Sequence, residues 1–333
     1  MHQLQDSAVF ARTDNLKKLR RIKTTGVNYM SQKIVITGGA GFIGSNLAEA
    51  LAEENEVVVI DDLSAGKLEN LSGLNVQFLK SSITDLELLR SAFEGASIVF
   101  HLAAIASVKK SVENPIRTNE VGIDGTLKVL VAARDAGVRR MILASSVAVY
   151  GSSPDLPKRE DMMPEPRSPY AVTKLAGEHY AQVFQEIYGL ETVALRYFNV
   201  FGPKQDPSSE YSGVISRFIT ALLKGEQPVI YGDGEQTRDF VYVADVVKAN
   251  ILASHGRTSG IFNIACGKSI SLNFLAQTIG EILARPVRPR YEAPRPADIR
   301  HSLADIGQAE SLGYFPDFSI EDGLKRTIQW YRG

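Results

Sequence analysis

From Lys33 onward the chain alternates between two hydrophobic rhythms. Short apolar, often β-branched runs read as buried strands at Ile34–Thr37, Val57–Ile60, Val76–Leu79, Ile98–His101, Arg140–Ser145 and Thr192–Arg196. Between them, apolar residues recur at helical spacing over Phe42–Ala52, Asp85–Ala92, Asn119–Ala136 and Tyr170–Tyr188. Strands alternating with helices of this length require right-handed crossovers. The pattern predicts an α/β fold on a doubly wound parallel sheet. After Arg196 the rhythm breaks. Gly- and Pro-rich chain fills Phe201–Gly213 and Gln227–Thr237, with helical periodicity over Val214–Lys224, Ala244–Ala253, Leu272–Leu283 and Ile320–Tyr331. This predicts a smaller C-terminal α/β domain over the carboxyl ends of the strands, where open α/β sheets bind ligands. We expect residues 30–196, with a returning segment near 241–267, to form the first domain. Residues 197–240 and 268–333 then form the second.

The first strand runs straight into a glycine turn. Lys33–Leu51 reads KIVITGGAGFIGSNLAEAL, with Gly38, Gly41 and Gly44 at three-residue spacing ahead of the helix. Such glycines serve a tight turn, close backbone approach to a pyrophosphate, and packing of helix on strand. The diphosphate would sit on the free N–H groups of the helix N-terminus. A plain strand-to-helix turn uses one or two glycines as well, so the spacing alone is a weak signal. Here the second strand also ends on Asp61, where an NAD site needs a carboxylate for the adenosine ribose hydroxyls. The same carboxylate would repel the extra phosphate of NADP. The stretch predicts a site for NAD.

Composition narrows the class. With 333 residues, 44% hydrophobic and 23% charged, the chain has the make-up of a soluble globular protein. A net charge of −1 provides no basic field for nucleic acid. The single Cys266 excludes an intrachain disulfide framework, which points to a reducing cytoplasm. No apolar run approaches the roughly 18 residues of a membrane span. The five histidines have no metal-ligand spacing, so no metal is expected. Residues 1–29 stand apart, with six Lys and Arg between Arg12 and Lys23 against Asp6 and Asp14. They lack a secretory h-region and read as a disordered extension, with a basic partner-binding arm as the alternative.

Three residues further along carry chemistry. Tyr170 and Lys174 lie four apart at the start of a predicted helix and share a face. An ammonium beside a phenol of pKa about 10 favours the phenolate, and a cationic nicotinamide ring would do the same. The spacing proves little alone, since Tyr29 and Lys33 have it too. Context separates the two pairs. Ser168–Pro169 precedes Tyr170, and the strand upstream ends on Ser145–Ser146, whose second hydroxyl could share a substrate hydroxyl with the phenol. The bland alternative is that these serines only satisfy a strand end.

The motifs TGGAGFIG, HLAA (His101–Ala104), SSVAVYG (Ser145–Gly151), SPYAVTK (Ser168–Lys174), RYFNVFGP (Arg196–Pro203) and YGDGEQTRDFVYV (Tyr231–Val243) occur together from about Ser31 onward. As a set they resemble the extended short-chain dehydrogenase/reductase superfamily, and within it the NAD-dependent nucleotide-sugar epimerases. The resemblance implies a Rossmann sheet, a UDP-sugar substrate and a catalytic set of Ser146, Tyr170 and Lys174. It assigns NAD to Gly38, Gly41, Phe42, Ile43, Gly44, Asp61, Asp62, Ile83, Leu102, Ala103 and Ala104, with Tyr170 and Lys174 at the nicotinamide ribose. It assigns the substrate to Ser146, Asn199, Arg238, Arg295, Asp298 and Ser302. Guanidinium groups suit a diphosphate, although Arg238 beside Asp239 also reads as a surface ion pair. Two positions depart from the family pattern. Gly122 stands where Asn is usual, and Ser82 where an acidic residue often approaches the adenine.

Related dehydratases and decarboxylases carry extra acids or bases beside the strand-end serine. Here Val147 and Ala148 follow Ser146, and neither transfers protons. The resemblance therefore implies 4-epimerisation by transient oxidation at carbon 4, with NAD retained. The segment Ala293–Ile306 resembles the stretch that closes the sugar pocket, with the small Ser302 at a gate where a bulky Tyr excludes a 2-acetamido group. Ser302 with Asp305 also reads as a helix N-cap. The wider motif run is similar to UDP-N-acetylglucosamine 4-epimerases, which implies UDP-GlcNAc and UDP-GalNAc as substrates with UDP-glucose and UDP-galactose also accepted. A UDP-glucose 4-epimerase limited to non-acetylated or glucuronate sugars is the alternative, and a non-catalytic NAD sensor is the reading from another class. Related enzymes pair two helices across a two-fold axis, so a homodimer through helices 119–136 and 170–188 is expected.

Overall fold

Seven strands form one sheet, and every pairing in it is parallel. They are β1 (Lys33–Thr37), β2 (Glu56–Asp61), β3 (Val76–Lys80), β4 (Ile98–His101), β5 (Arg140–Ser146), β6 (Glu191–Tyr197) and β10 (Gly260–Ile264), in the order β3-β2-β1-β4-β5-β6-β10. The structure, a computed structural model, describes residues 31–207, 213–294 and 299–332. The extension expected over residues 1–29 and the candidate residues Arg295 and Asp298 lie outside the described residues. β1, β4 and β5 are buried almost end to end, which is why their sequences run apolar without alternation. The order reverses between β1 and β4. That is the switch point at which a doubly wound sheet opens a crevice beyond its strand ends.

Helices cover both faces. On one side α1 (Phe42–Leu51) packs against α8 (Val243–His255) over a core that includes Ile36, Val59, Phe100 and Leu195. On the other, α2 (Leu86–Phe93), α5 (Thr126–Asp135) and α6 (Pro169–Tyr188) cover Val35, Val58, Val99 and Met141. α6 starts where its sequence says it should. Ser168 is the N-cap, accepting from the Ala171 N–H at 3.2 Å, and Pro169 occupies the first turn. It ends on Gly189 in the left-handed region.

The single helix expected over Asn119–Ala136 is a π-helical turn followed by α5 (Thr126–Asp135), with two short helices ahead of it. α3 (Val108–Glu113) and α4 (Pro115–Asn119) lead into a π-helical turn at Glu120–Gly125 before α5. At Gly122 the turn comes so close to α6 that a Cβ there would stand 2.6 Å from the Thr173 Cβ. A wider turn brings a side-chain-free backbone up to the start of α6. Helical periodicity alone cannot report such a change of pitch.

β7 (Asn199–Phe201) begins two residues after β6 ends, so the second body of structure grows directly from the carboxyl edge of the sheet. β7 pairs with β9 (Thr237–Tyr242) in parallel, and β9 pairs antiparallel with β11 (Ser269–Ser271). β8 (Val229–Tyr231) pairs with β12 (Arg290–Glu292). With α7 (Val214–Leu223), α9 (Leu272–Leu283) and α11 (Ile320–Arg332) they enclose a separate core of Phe201, Phe218, Ile219, Tyr242, Leu275 and Leu324. Among the described residues, no helix is long and apolar enough to cross a membrane.

Candidate active site

The glycine turn sits at the carboxyl end of β1. Gly38 has φ +71°, and a Cβ on it would stand 2.6 Å from the Ala103 backbone nitrogen. A Cβ on Gly44 would stand 2.2 Å from the Gly38 carbonyl oxygen. Both positions need glycine, one for conformation and contact, one for contact alone. Gly41 is the N-cap of α1 and offers no side-chain acceptor. The first N–H groups of α1, on Phe42, Ile43 and Gly44, are thereby left for an anion, and this open cradle fits the diphosphate of NAD.

Asp61 closes the cradle from β2. Its buried carboxylate accepts from the Ala40 N–H at 3.0 Å and the Leu63 N–H at 2.8 Å. Burial raises its pKa, and the N–H groups of Leu63, Ala40 and Gly41 oppose that rise. Asp62 faces outward and accepts from the Ser64 N–H at 2.9 Å. Ser82 accepts from both the N–H and the hydroxyl of Thr84, at 3.2 and 2.9 Å. Ile83 is buried against the π-helical turn, 2.8 Å from where a Gly125 Cβ would be.

His101 ties these parts together. Its Nδ1 lies 2.7 Å from the Thr37 hydroxyl and its Nε2 3.0 Å from the Thr126 hydroxyl. Thr126 donates to the Gly122 carbonyl at 2.8 Å, so it must accept from His101, which puts the proton on Nε2. Thr37 then donates to Nδ1 and accepts from the Ala103 N–H at 3.4 Å. The chain pins Ala103, in the partly exposed run Leu102–Ala104, to β1 and the π-helical turn. Burial, then the nearby charge of Lys174, pushes the imidazole down to about 3, so it is neutral.

Ser146, Tyr170 and Lys174 meet between the end of β5 and the first turns of α6. Ser146 accepts from the Ala148 N–H at 3.2 Å, and its hydroxyl is near enough to the Tyr170 phenol to lower its pKa. The Lys174 ammonium stands 5.9 Å from the centre of the Tyr170 ring and donates to the Ala144 carbonyl at 2.8 Å. Burial is the largest influence on Tyr170 and raises its pKa, with Ser146 pulling it partway back. The lysine that was expected to lower the phenol is itself brought down to about 8 by burial, with Glu178 opposing. In this crevice, desolvation outweighs the help expected from the lysine.

Sequence reasoning missed Glu178. It lies one turn beyond Lys174 on the same stripe of α6, so Tyr170, Lys174 and Glu178 recur at four-residue spacing. Its buried carboxylate takes a bidentate pair from Arg196 at 2.9 and 2.7 Å and a hydrogen bond from Ser145. Arg196 also lies 4.7 Å over the ring of Tyr150, whose hydroxyl donates to Asn263 at 2.7 Å. The stripe spacing was the signal that could have found this network.

On the substrate side, Asn199 donates to the Asp239 carbonyl at 3.0 Å, and the Arg238 guanidinium to the Thr237 carbonyl at 2.8 Å. The surface ion pair considered for Arg238 and Asp239 does not form, because the Asp239 carboxylate is buried. It accepts from the N–H groups of Cys266 and Ala304 at 2.9 and 3.2 Å. The N-cap reading of Ser302 is also corrected. The following helix, α10 (Gly307–Glu310), starts later, and Asp305 accepts the Gly307 N–H at 2.8 Å. Ser302 instead pairs its N–H with the Thr237 carbonyl at 3.1 Å, and its buried hydroxyl has no partner among the described residues.

A model of the NAD dependent epimerase/dehydratase family matches residues 34–265. The UDP-glucose 4-epimerase of Mycolicibacterium smegmatis is 40% identical over 310 residues, covering 90% of this chain and 98% of that one. A UDP-N-acetylglucosamine 4-epimerase from Methanobrevibacter ruminantium, solved with UDP-N-acetylmuramic acid, superposes with TM-score 0.89 at 44% identity. That match covers 91% of this chain and 99% of the other. The UDP-glucose 4-epimerase of Thermus thermophilus in complex with NAD gives TM-score 0.83 at 38% identity, over 90% and 99% of the two chains.

The burial of Lys174 has a consequence for stability. Its pKa is near 8 in the folded chain against 10.5 for an ordinary lysine, so the folded state disfavours the ammonium. The cost is fully present below pH 8 and fades as pH rises towards 10.5, where the unfolded chain also loses the proton. We predict that Lys174→Met, free of cofactor, is more stable than wild type at pH 7 by about 1–3 kcal/mol. The difference should vanish by pH 10.5. Thermal melts at the two pH values check it, and a less stable variant at pH 7 contradicts it.

Proposed function

The chain belongs to the NAD dependent epimerase/dehydratase family, and from that premise we propose that it interconverts UDP-N-acetylglucosamine and UDP-N-acetylgalactosamine. It is a UDP-sugar 4-epimerase, an isomerase, and NAD is its cofactor. When bound, NAD supplies the acceptor for the hydride of carbon 4 and the means of returning it to the opposite face. The glycine turn and α1 N-terminus hold its diphosphate in this reading, and Asp61 its adenosine ribose. Residues 30–196 with the returning segment near 241–267 form the cofactor domain, and residues 197–240 and 268–333 the substrate domain.

Tyr170 takes the proton from the sugar 4-hydroxyl and later returns one to carbon 4 oxygen. Ser146 bridges phenol and sugar hydroxyl, which orients both. A phenol raised by burial is a poor base until positive charge arrives, so Lys174 and the bound cofactor together set its readiness. Arg238 and Asn199 hold the substrate diphosphate, with Arg295 and Asp298 proposed beside them. Val147 and Ala148 provide no further acid or base, so the reaction stops at epimerisation.

The observation that carries the choice of sugar is Ser302. It is small, and its buried hydroxyl has no partner among the described residues, which favours a ligand group there. A 2-acetamido group supplies a carbonyl acceptor and an N–H donor. The Methanobrevibacter enzyme, with its N-acetylated ligand, adds support. The second reading, turnover limited to UDP-glucose and UDP-galactose or to glucuronate sugars, draws on the Mycolicibacterium relative.

Assembly follows from α3, α4 and α6. Val108, Val112 and Ile116 are exposed on the first two, and Val172, Val183 and Ile187 form one exposed stripe on α6. α6 packs against both short helices, so these residues form one face. On the helix expected over Asn119–Ala136, Val129, Leu130, Ala132 and Ala133 are buried within the protein. We propose a homodimer in which α6 pairs with its symmetry mate and α3 and α4 flank the contact.

Three outcomes test these readings. Tyr170→Phe should keep its fold and bound NAD but lose about 10²–10⁴-fold in turnover, measured by product analysis on UDP-hexoses; near wild-type turnover would refute the mechanism. Wild-type protein should epimerise UDP-GlcNAc as well as UDP-glucose, and Ser302→Tyr should abolish only the acetamido reaction. Turnover of UDP-galactose without UDP-GalNAc would hand the case to the second reading. Light scattering at micromolar concentration should give a dimer mass, and the double variant Ile116→Asp, Ile187→Asp a monomer.

A further inference from the structure

The loop after β7 is fastened to the cofactor half of the molecule by unusual means. Lys204 has φ +67°, a left-handed conformation that a lysine rarely adopts. Its side chain is mostly buried, and the ammonium donates to the Ser45 carbonyl at 3.2 Å and the Asn70 carbonyl at 3.1 Å. It also pairs with the Glu49 carboxylate at 2.8 Å. Ser45 and Glu49 belong to α1, and Asn70 to the segment that follows Asp61. Two further contacts run alongside. Asn46 of α1 donates to the Pro203 carbonyl at 3.1 Å, and Lys67 pairs with Asp206 at 2.8 Å.

The segment so fastened lies against the glycine turn. The Lys67 N–H and the Asn70 amide both donate to the Ala40 carbonyl, at 3.0 and 2.9 Å. At Gly66 it approaches so closely that a Cβ would stand 2.9 Å from both oxygens of Asp61. One ammonium therefore joins three pieces: the first helix, the segment beyond Asp61, and the strand-end loop that leads into the second body of structure. Backbone strain kept at such a junction marks a position where the side chain's reach matters more than the local conformation.

We propose that Lys204 is a positioning residue for the cofactor, whose three-way staple holds the segment 62–71 against the glycine turn and slows exchange of NAD. The proposal rests on the reading that places NAD at that turn and at Asp61. A staple of charge-assisted bonds is among the stronger polar contacts a protein can make, and its loss should change an exchange rate by about tenfold or more. It gives a physical basis for a cofactor that stays bound through repeated turnovers.

The test follows exchange of bound NAD for labelled NAD in the full-length protein. Lys204→Asn keeps a residue that tolerates the left-handed backbone but removes the ammonium, and Lys204→Arg keeps a cation. We expect exchange at least about tenfold faster in the first and within about threefold of wild type in the second. With NAD at saturation, kcat of Lys204→Asn should stay within about threefold of wild type, because the staple touches neither sugar nor phenol. Wild-type exchange in Lys204→Asn, or equal acceleration in both variants, would overturn the proposal. Should Lys204→Asn not fold, Glu49→Gln, which removes the staple's carboxylate, must accelerate exchange several-fold, and an unchanged rate there counts against the staple equally. Asp61→Asn separates the two levels. If it leaves exchange unchanged, the cofactor placement itself is wrong. If it accelerates exchange while Lys204→Asn does not, only the staple is.

Discussion

The reaction centre depends on the pairing of Glu178 with Arg196. Both side chains are buried, and a carboxylate alone in such surroundings would take up a proton or pull the helix out of place. The bidentate geometry and the Ser145 hydrogen bond satisfy it instead. A pair of this kind adds little net stability, since desolvating two ions offsets most of their attraction. What it fixes is register. Arg196 belongs to β6, Ser145 to β5 and Glu178 to α6, so helix and strands meet at one setting. Lys174 and Tyr170, one and two turns back along that helix, are placed by the same contact. Glu178 also supplies the negative charge that keeps the Lys174 ammonium from losing its proton altogether.

The cofactor half has its own lock, built from neutral groups. The His101 relay passes one direction of hydrogen bonding from the Ala103 N–H through Thr37, His101 and Thr126 to the Gly122 carbonyl. Each hydroxyl has a single consistent role, and the imidazole stays uncharged. The relay ends at the π-helical turn, whose Gly122 touches Thr173 on α6. The departure from the family's Asn at this position therefore has a steric reason in this chain. Whatever binds along the glycine turn is linked, through four hydrogen bonds and the Gly122–Thr173 contact, to the helix that carries the tyrosine.

Much of this was legible beforehand, and the reasons are specific. Parallel strands buried on both faces read as unbroken apolar runs, so the six strands of the first two-thirds of the chain could be located within a residue or two. α6 announced both ends through Ser168, Pro169 and Gly189. Residues whose role depends on local turn geometry, such as Gly38, Gly44 and Asp61, were visible because that geometry is written in adjacent positions. The π-helical turn was not, since a wider pitch leaves no mark on hydrophobic spacing over six residues. α3 and α4 were missed because their apolar residues face outward and add nothing to a core pattern. β7, β8, β11 and β12 are three residues long, below the length at which alternation can be told from chance. The pairing of Arg196 with Glu178 escaped notice because a long-range contact has no local signature, and only the four-residue stripe from Tyr170 through Lys174 pointed to Glu178.

β9 shows how narrow the remaining margin is. Successive residues of a strand point to opposite faces, so Arg238 and Asp239 cannot share a side. Asp239 turns inward, where its carboxylate gathers the backbone N–H groups of Cys266 and Ala304 and so ties β10's end to the Ser302 segment. Burial lifts it to about 6, with those N–H groups opposing. Arg238 is left on the other face, beside the segment that carries Ser302. A slip of one residue against β7 and β11 would exchange the two, burying a guanidinium and exposing the carboxylate. The pairing of Asn199 with Phe240 and of Ile270 with Arg238 prevents that slip. Arg238 can lie beside the Ser302 segment because its neighbour in sequence is committed, on the opposite face, to holding that segment to the end of β10.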